Sequence, residues 1–152
     1  MTDMEIMLAD ERATAALGAR LAPVIRAGDV IGLSGPLGAG KTTLARGLIE
    51  ALTGAKETPS PTFALVETYE TRAFSLWHFD LYRLEKPEEA WELGLEEAFG
   101  SGAALIEWPE RIAALLPLNM LLIRLDLEEG QRRARVRGSG DWPARLIALS
   151  LR

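Results

Sequence analysis

A glycine-rich segment at residues 35–42 has the residue types and the spacing that bind a phosphate group. It reads Gly35-Pro36-Leu37-Gly38-Ala39-Gly40-Lys41-Thr42, the pattern G-x-x-x-x-G-K-[ST]. Glycines let the backbone curl until several N–H groups point into one hollow, which then holds an anion. Lys41 adds a mobile positive charge for the outer phosphates, and the Thr42 hydroxyl can bind the Mg²⁺ that accompanies them. The segment therefore predicts a site for a nucleoside triphosphate.

The segments on both sides of this loop agree with that interpretation. Apolar residues 30–33 precede it as a short strand, and residues 44–49 follow it with the pattern of a helix. Free N–H groups at the start of that helix add to the positive field of the loop. The alternative is a glycine-rich turn that merely closes a strand–helix unit, but the four fixed positions in this context favour the phosphate loop.

Two acidic residues at predicted strand ends are candidates to complete the site. A phosphate loop needs carboxylates that hold Mg²⁺ or orient the attacking water. Asp80 closes the strand-like run 74–79, and Glu107 closes the run 103–106. Either side chain can act in the manner of a Walker B acid. The alternatives are a cap or turn acid for Asp80 and a surface charge for Glu107.

Three further residues near the predicted site have open roles. Thr62, in Ser60-Pro61-Thr62, lies either in a mobile loop that senses the γ-phosphate or in a turn fixed by proline. His78 is the single histidine of the chain, and we interpret it as a satisfied structural residue rather than a base. Trp108, beside Glu107, either stacks on a base and covers the site or packs in the core.

The composition indicates a globular protein. Hydrophobic side chains make up 48% of the 152 residues and charged ones 26%, which suits one domain over residues 1–152. No apolar run approaches the about 20 residues of a membrane-spanning helix. The acidic start lacks the basic region of a secretory signal. There is no cysteine, which excludes thiolate metal sites and disulfides, so we expect a cytoplasmic location.

Charge limits the expected partners. The net charge of −5 weighs against a broad grip on nucleic acid, so we expect neither a DNA partner nor a membrane partner. One basic run departs from this balance, Gln131-Arg132-Arg133-Ala134-Arg135-Val136-Arg137, and it alternates like a strand. We interpret it either as a solvated edge strand whose charges discourage pairing or as a contact for an anion or a partner.

The hydrophobic pattern predicts helices at both ends of a strand-rich middle. Helices are expected over residues 10–27, 41–52, 87–99 with a break at Gly94, 109–116 and 143–151. Strands are expected over residues 30–33, 63–69, 74–79, 103–106, 119–127 and 132–137. This order predicts an α/β fold, a three-layer sandwich with a mostly parallel central sheet and an antiparallel hairpin. The phosphate loop is expected at the carboxyl edge of the sheet.

Several of these segments, in this order along the chain, resemble the bacterial TsaE (YjeE) family. The specific ones are His78-Phe79-Asp80-Leu81-Tyr82-Arg83-Leu84, Leu105-Ile106-Glu107-Trp108-Pro109-Glu110 and Ser60-Pro61-Thr62-Phe63, together with the phosphate loop. The resemblance covers nearly the whole chain, although the region after Pro109 matches only loosely. The family often has an acidic residue where Pro36 stands, a position whose side chain a phosphate loop does not require.

The resemblance implies a single P-loop NTPase domain that binds ATP and Mg²⁺ and hydrolyses ATP weakly unless partner proteins stimulate it. The implied partners are TsaD, which transfers the threonylcarbamoyl group, and its paralogue TsaB. Contact with tRNA would be indirect, through that complex. The family's product is N6-threonylcarbamoyladenosine, next to the anticodon of tRNAs that read codons beginning with A.

The family's site residues carry over onto matching positions of this chain. Its nucleotide contacts fall on Gly38, Ala39, Gly40, Lys41, Thr42 and Thr43, with further contacts implied at Glu11, Asp80 and Arg132. Lys41, Asp80 and Glu107 are the implied catalytic residues, and Thr42 and Glu107 are the implied metal ligands. Whether Glu107 or Asp80 orients the attacking water stays open.

Two other functions are consistent with the residues. A P-loop small-molecule kinase would share the phosphate loop, but it usually brings a lid with arginines that clamp the transferred group. The arginine cluster of this chain lies instead in a strand-like stretch. A nucleotide-gated interaction module would bind ATP and hydrolyse it only incidentally.

Overall fold

A sheet of seven strands organises the fold. The computed structural model describes residues 2–54 and 65–149. The strands are β1 Thr2–Leu8, β2 Val30–Ser34, β3 Val66–Glu70, β4 Ser75–Asp80, β5 Ala103–Glu107, β6 Leu121–Glu128 and β7 Gln131–Gly138. The helices are α1 Glu11–Leu21, α2 Lys41–Thr53, α3 Glu89–Glu92, α4 Leu95–Ser101 and α5 Trp142–Leu149, with 3₁₀ turns at Ala22–Val24 and Pro109–Leu115.

The sheet is mixed, which corrects the expectation of a mostly parallel sheet. Its strand order is β1-β7-β6-β2-β5-β4-β3. Four adjacent strands, β6, β2, β5 and β4, are parallel, whereas β1 with β7, β7 with β6 and β4 with β3 pair antiparallel. The predicted hairpin β3–β4 is confirmed. Because these four parallel strands run the same way, β2, β4 and β5 end at one edge, which is where the candidate residues lie.

Strand β1 is an element that the sequence analysis did not expect. It pairs with β7 from Thr2 opposite Gly138 to Leu8 opposite Arg132. Met4, Ile6 and Leu8 pack against the core, while the alternate residues Asp3 and Glu5 carry charge. This pairing places β7 inside the sheet, between β1 and β6. The interpretation of the basic run as an edge strand is therefore wrong.

An apolar core lies on each face of the parallel part of the sheet. Ile31, Leu33 and Leu105 belong to the core that includes residues of α1 and α2. Val30 and Ile106, which alternate with them, belong to the core under α3, α4 and the turn at Pro109–Leu115. On this second face β7 and β1 carry charges instead, in ion pairs that join Arg133 and Arg135 to Glu5 and Arg137 to Asp3. The helical layer on that face therefore covers the parallel strands and leaves β7 and β1 open.

Helix α1 is shorter than the predicted helix 10–27. Asp10 caps it, because its carboxylate accepts a hydrogen bond from the backbone N–H of Ala13 at 2.8 Å. The helix ends at Leu21 and passes into the 3₁₀ turn. Pro23 lacks the N–H that a longer helix would use, which accounts for the early end.

Two glycines let α1 and α2 cross at close range. A Cβ atom at Gly18 would overlap the carbonyl oxygen of Leu44, and one at Gly47 would overlap the carbonyl oxygen of Ala15. A separate contact lies at the helix starts, where the side chain of Thr14, in the first turn of α1, lies against Gly40 just before α2. Glu11, the first residue of α1, lines the candidate site. Within residues 2–54 and 65–149, no helix has the length and apolar character needed to cross a bilayer.

Candidate functional site

The glycine-rich loop between β2 and α2 curls around the side chain of Lys41. Gly38 and Gly40 have φ angles of 80° and 106°, a region that glycine adopts at no steric cost. Lys41 begins α2, and its Nζ donates to the carbonyl oxygens of Gly35 at 2.6 Å and Pro36 at 2.9 Å. These bonds hold the ammonium group across the loop, close to the N-terminus of α2, where an anion is favoured.

The ammonium group of Lys41 lies in a partly apolar environment. Burial lowers the pKa of Lys41, while the nearby carboxylates of Glu107, Glu110 and Asp80 raise it and offset part of that effect. Its Nζ also lies 4.1 Å from the ring centroid of Trp108, the distance of a cation–π contact. An ammonium group with lost hydration gains strongly from an anionic partner.

A hydrogen-bonded chain links α2, β5 and β4. The Thr42 hydroxyl donates to Oε1 of Glu107 at 2.8 Å. The other carboxylate oxygen, Oε2, lies 2.7 Å from Nε2 of His78. Glu107 and His78 are 2% and 1% exposed, so the acid is almost fully removed from water and both its oxygens are used. Glu107 is thus a buried site residue and not a surface charge.

Asp80 lies directly beside Glu107, because the two residues are register partners at the ends of parallel strands β4 and β5. One Asp80 oxygen accepts the backbone N–H of Tyr82 at 3.2 Å. Burial raises the pKa of the Asp80 carboxyl, and the charge of Glu107 raises it further. Two carboxylates this close repel one another, which favours a cation or a proton between them.

These groups converge on a cavity of about 330 Å³. Most of the predicted site residues line it: Glu11, Gly38, Gly40, Lys41, Thr42, Thr43, Asp80, Glu107, Trp108 and Arg132. Ala39 does not line the cavity, since its side chain is fully buried and its carbonyl oxygen accepts a hydrogen bond from Arg132. Thr62 lies outside the described residues, so its predicted role stays a prediction.

Arg132 is the one member of the basic run that lines the cavity. Its Nε donates to the carbonyl oxygen of Ala39 at 3.1 Å. The same Nε lies close to Gly40, since a Cβ atom added at Gly40 would be 3.0 Å from it. Arg133, Arg135 and Arg137 point to the opposite face of β7. The alternation of the strand therefore separates one site arginine from three that form ion pairs with acidic residues.

Trp108 lies at the rim of the cavity in a left-handed backbone conformation, with φ 64° and ψ 51°. Its backbone N–H donates to the carbonyl oxygen of Leu33 at 3.1 Å. The Trp108 ring contacts both Lys41 and the ring of Tyr82, whose centroid is 5.0 Å away. A non-glycine residue held in this region is strained, a feature that clusters at functional sites.

Sequence reasoning missed several residues of the site. Tyr82, Arg83, Leu65 and Leu37 also line the cavity. Tyr82 and Arg83 follow Asp80 directly, so the rule that sites lie past the carboxyl ends of strands could have identified them. His78, which was interpreted as a structural residue rather than a base, contacts one oxygen of Glu107.

The oxygen atoms gathered here suit a hard divalent cation. Within residues 2–54 and 65–149, no cluster of three or more His, Cys, Asp or Glu side chains is arranged to hold a metal ion. The Thr42 hydroxyl and the Glu107 and Asp80 carboxylates are nevertheless the ligands that Mg²⁺ accepts when phosphates and waters complete its shell. The donor set therefore fits a hard divalent cation such as Mg²⁺.

Comparison with known proteins places the chain in a family. The model of the TsaE family, "Threonylcarbamoyl adenosine biosynthesis protein TsaE", matches residues 8–135. A tRNA threonylcarbamoyladenosine biosynthesis protein TsaE from Rickettsia felis is 40% identical over 129 residues, 84% of this chain and 75% of that protein. The protein of the same name from Nostoc sp. is 42% identical over 139 residues, 87% and 84% of the two chains. The crystal structure of Bacillus subtilis YdiB aligns with a TM-score of 0.81 and 30% identity over 98% of this chain and 95% of that one. The chain belongs to the TsaE family of threonylcarbamoyl adenosine biosynthesis proteins.

Proposed function

We propose that this chain is a Mg²⁺-dependent ATPase that acts with TsaD and TsaB in forming N6-threonylcarbamoyladenosine in tRNA. One observation carries the chemistry: the Thr42 hydroxyl, next to the lysine of the glycine-rich loop, bonds the buried carboxylate of Glu107 at 2.8 Å. The relatives, named as tRNA threonylcarbamoyladenosine biosynthesis proteins, support the pathway. The family resemblance supports ATP as the nucleotide and the two partners.

The loop binds the phosphates through its backbone and Lys41. The N–H groups of residues 38–43 surround the phosphate tail, and the N-terminus of α2 adds a favourable field. Lys41 exchanges its carbonyl partners, Gly35 and Pro36, for phosphate oxygens. Because its charge is partly desolvated, this exchange gives a larger gain than it would in water.

Thr42 and Glu107 would hold Mg²⁺, and Asp80 would orient the attacking water. Mg²⁺ held by these residues would neutralise negative charge on the outer phosphate oxygens. Glu107 suits the metal because one of its oxygens already faces the Thr42 hydroxyl. Asp80 suits the water because it borders the cavity and its raised pKa brings it nearer to the working range of a general base.

The arrangement of the basic run 131–137 argues against the alternative of a small-molecule kinase, although Arg83 also lines the cavity. Such an enzyme clamps the transferred group with several lid arginines. Three arginines of the basic run, Arg133, Arg135 and Arg137, instead pair with carboxylates on the face of β7 that is turned from the cavity. Arg132 reaches the loop alone among them.

The decisive experiment measures phosphate release and tRNA modification with TsaD, TsaB, tRNA and ATP present. We expect Lys41→Ala to lower hydrolysis by about 100-fold or more, the usual cost of removing a group that stabilises developing charge. Lys86→Ala is the matched control, since Lys86 is exposed and does not line the cavity. Intact hydrolysis in Lys41→Ala would refute the site.

The same assay separates the proposed ATPase from the other two functions. Phosphate found on a metabolite rather than in water would identify a kinase. Glu107→Ala provides the second test, since it removes an oxygen ligand that both Thr42 and His78 contact. If this variant binds ATP and still supports tRNA modification, hydrolysis is incidental and the chain is a nucleotide-gated interaction module.

A further inference from the structure

We propose that His78 is a positioning residue that fixes the carboxylate of Glu107 in the orientation needed to bind Mg²⁺ next to Thr42. This inference rests on the proposed function and names a role for a residue outside the cavity lining. His78 would act through Glu107 without touching the nucleotide.

The contacts of Glu107 divide between its two oxygens. Oε2 lies 2.7 Å from Nε2 of His78, and Oε1 lies 2.8 Å from the hydroxyl of Thr42. The terminal torsion of a glutamate is broad, so packing alone does not fix the plane of its carboxylate. A hydrogen bond from His78 to one oxygen does fix that plane and leaves the other oxygen directed at Thr42.

The hydrogen-bond partners of the two ring nitrogens indicate the tautomer of His78. A carboxylate accepts hydrogen bonds and donates none, so the shared hydrogen belongs to Nε2 of His78. Nδ1 is buried and has no hydrogen-bond partner among the described residues. A hydrogen on Nδ1 would create a buried donor without an acceptor, which is unfavourable. The structure therefore points to the Nε2–H tautomer, with the lone pair on Nδ1.

This role also follows from the surroundings of Glu107. Its carboxylate is 2% exposed and lies beside Asp80, its register partner on β4. Because the acid is almost fully removed from water, the N–H of His78 is the donor that reaches Oε2. A residue that orients a metal ligand in this way typically changes metal affinity when it is replaced.

The first test reads the tautomer directly. His78 is the one histidine in the 152 residues, so protein labelled with ¹⁵N-histidine gives a single imidazole pattern in a long-range ¹H–¹⁵N spectrum. We expect the pattern of an Nε2–H imidazole, and we expect the Nε2 signal to shift when Mg²⁺ and a non-hydrolysable ATP analogue are added. A hydrogen on Nδ1, or an Nε2 signal that does not respond, would overturn the proposal.

The second test uses two variants of different chemistry. His78→Leu fills the space without a donor, whereas His78→Gln places an amide N–H near the position of Nε2. For His78→Leu we expect the Mg²⁺ concentration at half-maximal hydrolysis to rise about 10- to 100-fold, the usual effect of losing a partner of a metal ligand. Binding of ATP without Mg²⁺ should be unchanged, and His78→Gln should restore most of the loss.

The outcomes separate this proposal from the proposed function. Equal Mg²⁺ dependence in wild type and His78→Leu, or an equal loss of metal-free ATP binding in both variants, would show that His78 is only structural. A wild-type protein that hydrolyses no ATP would refute the ATPase, and the tautomer spectrum would then decide the role of His78 alone. Far-ultraviolet circular dichroism verifies that each variant is folded.

Discussion

The Thr42 hydroxyl and Oε1 of Glu107 lie 2.8 Å apart, although the two residues are 65 positions apart in the sequence. Thr42 stands in the first turn of α2, and Glu107 ends β5. Because β5 pairs directly with β2, the strand that leads into the glycine-rich loop, the acid arrives beside the loop without help from any other element. The pair of residues that we propose as metal ligands is thus brought together by the sheet register.

This contact predicts different outcomes for two substitutions of Thr42. Thr42→Val removes the hydroxyl and leaves Oε1 of Glu107 without its donor, whereas Thr42→Ser keeps the hydroxyl. We expect the valine variant to lose at least about 10-fold in apparent Mg²⁺ affinity, and the serine variant to stay near wild type. A Mg²⁺ titration of ATP hydrolysis measures both. Thr53→Val, at the other end of α2, makes the same chemical change as a control, and similar losses in it would refute the assignment.

Replacement of Asp80 by asparagine is expected to raise the stability of the fold and to lower ATP hydrolysis. Its pKa in the folded protein is raised by burial and by Glu107, so the folded state binds this proton more tightly than the unfolded state does. The stabilising contribution is complete below the unfolded pKa, about 3.8, and is lost as the pH rises through the folded pKa. At pH 7 the charged group therefore costs stability, and Asp80→Asn should remove that cost.

The expected result for Asp80→Asn without Mg²⁺ is a Tm raised by about 1–4 °C at pH 7, with loss of hydrolysis by about 100-fold or more. The gain in Tm should shrink when the pH is lowered towards the unfolded pKa. Thermal unfolding of wild type and variant at several pH values measures this difference. Asp126→Asn is the control, because Asp126 is a half-exposed partner of Arg124 and should change Tm little. A lower Tm for Asp80→Asn at pH 7 would contradict the prediction.

Much of the site could be predicted because its chemistry depends on local patterns. The glycine-rich loop is a continuous motif, and Asp80 and Glu107 each follow an apolar strand-like run. In a parallel sheet such strand ends meet at one edge, so the rule for carboxyl ends brought the two acids together correctly. The break between α3 and α4 at Gly94 was also predictable from the residue type.

The features that could not be predicted depend on pairing between distant parts of the chain. β1 alternates Met4, Ile6 and Leu8 with acidic residues, a short pattern that forms a strand only because β7 is available to pair with it. Without β1, the basic run looks like an edge strand. His78 gives no local signal of its role either, since its partner Glu107 belongs to the next strand in the sheet and lies 29 residues away.

Alanine substitutions of Arg132 and Arg135, two arginines of β7, are expected to differ in their effect on ATP binding. Arg132 lines the cavity and bonds the glycine-rich loop at Ala39, whereas Arg135 forms an exposed pair with Glu5 at 3.2 Å. We expect Arg132→Ala to weaken ATP binding about 10-fold or more, because a hydrogen bond from a charged group contributes about 1.5–3 kcal/mol. Arg135→Ala should leave binding unchanged, since surface ion pairs contribute about 0–1 kcal/mol. Calorimetric titration with ATP compares them, and equal losses would mean that net charge rather than position controls binding.

Gly47 and Gly100 give opposite predictions for the same substitution to alanine in a helix. A Cβ at Gly47 would overlap the carbonyl oxygen of Ala15 on α1, whereas a Cβ at the exposed Gly100 in α4 would meet nothing within 4 Å. We expect Gly47→Ala to lower the free energy of unfolding by about 1–3 kcal/mol, as overpacking does. Gly100→Ala should raise it by about 0.5–1 kcal/mol, because alanine favours a helix more than glycine. Urea denaturation measures both changes. Since α1 also carries Glu11 to the cavity, Gly47→Ala should weaken ATP binding as well. A Gly47→Ala variant as stable as wild type would show that the two helices do not cross this closely.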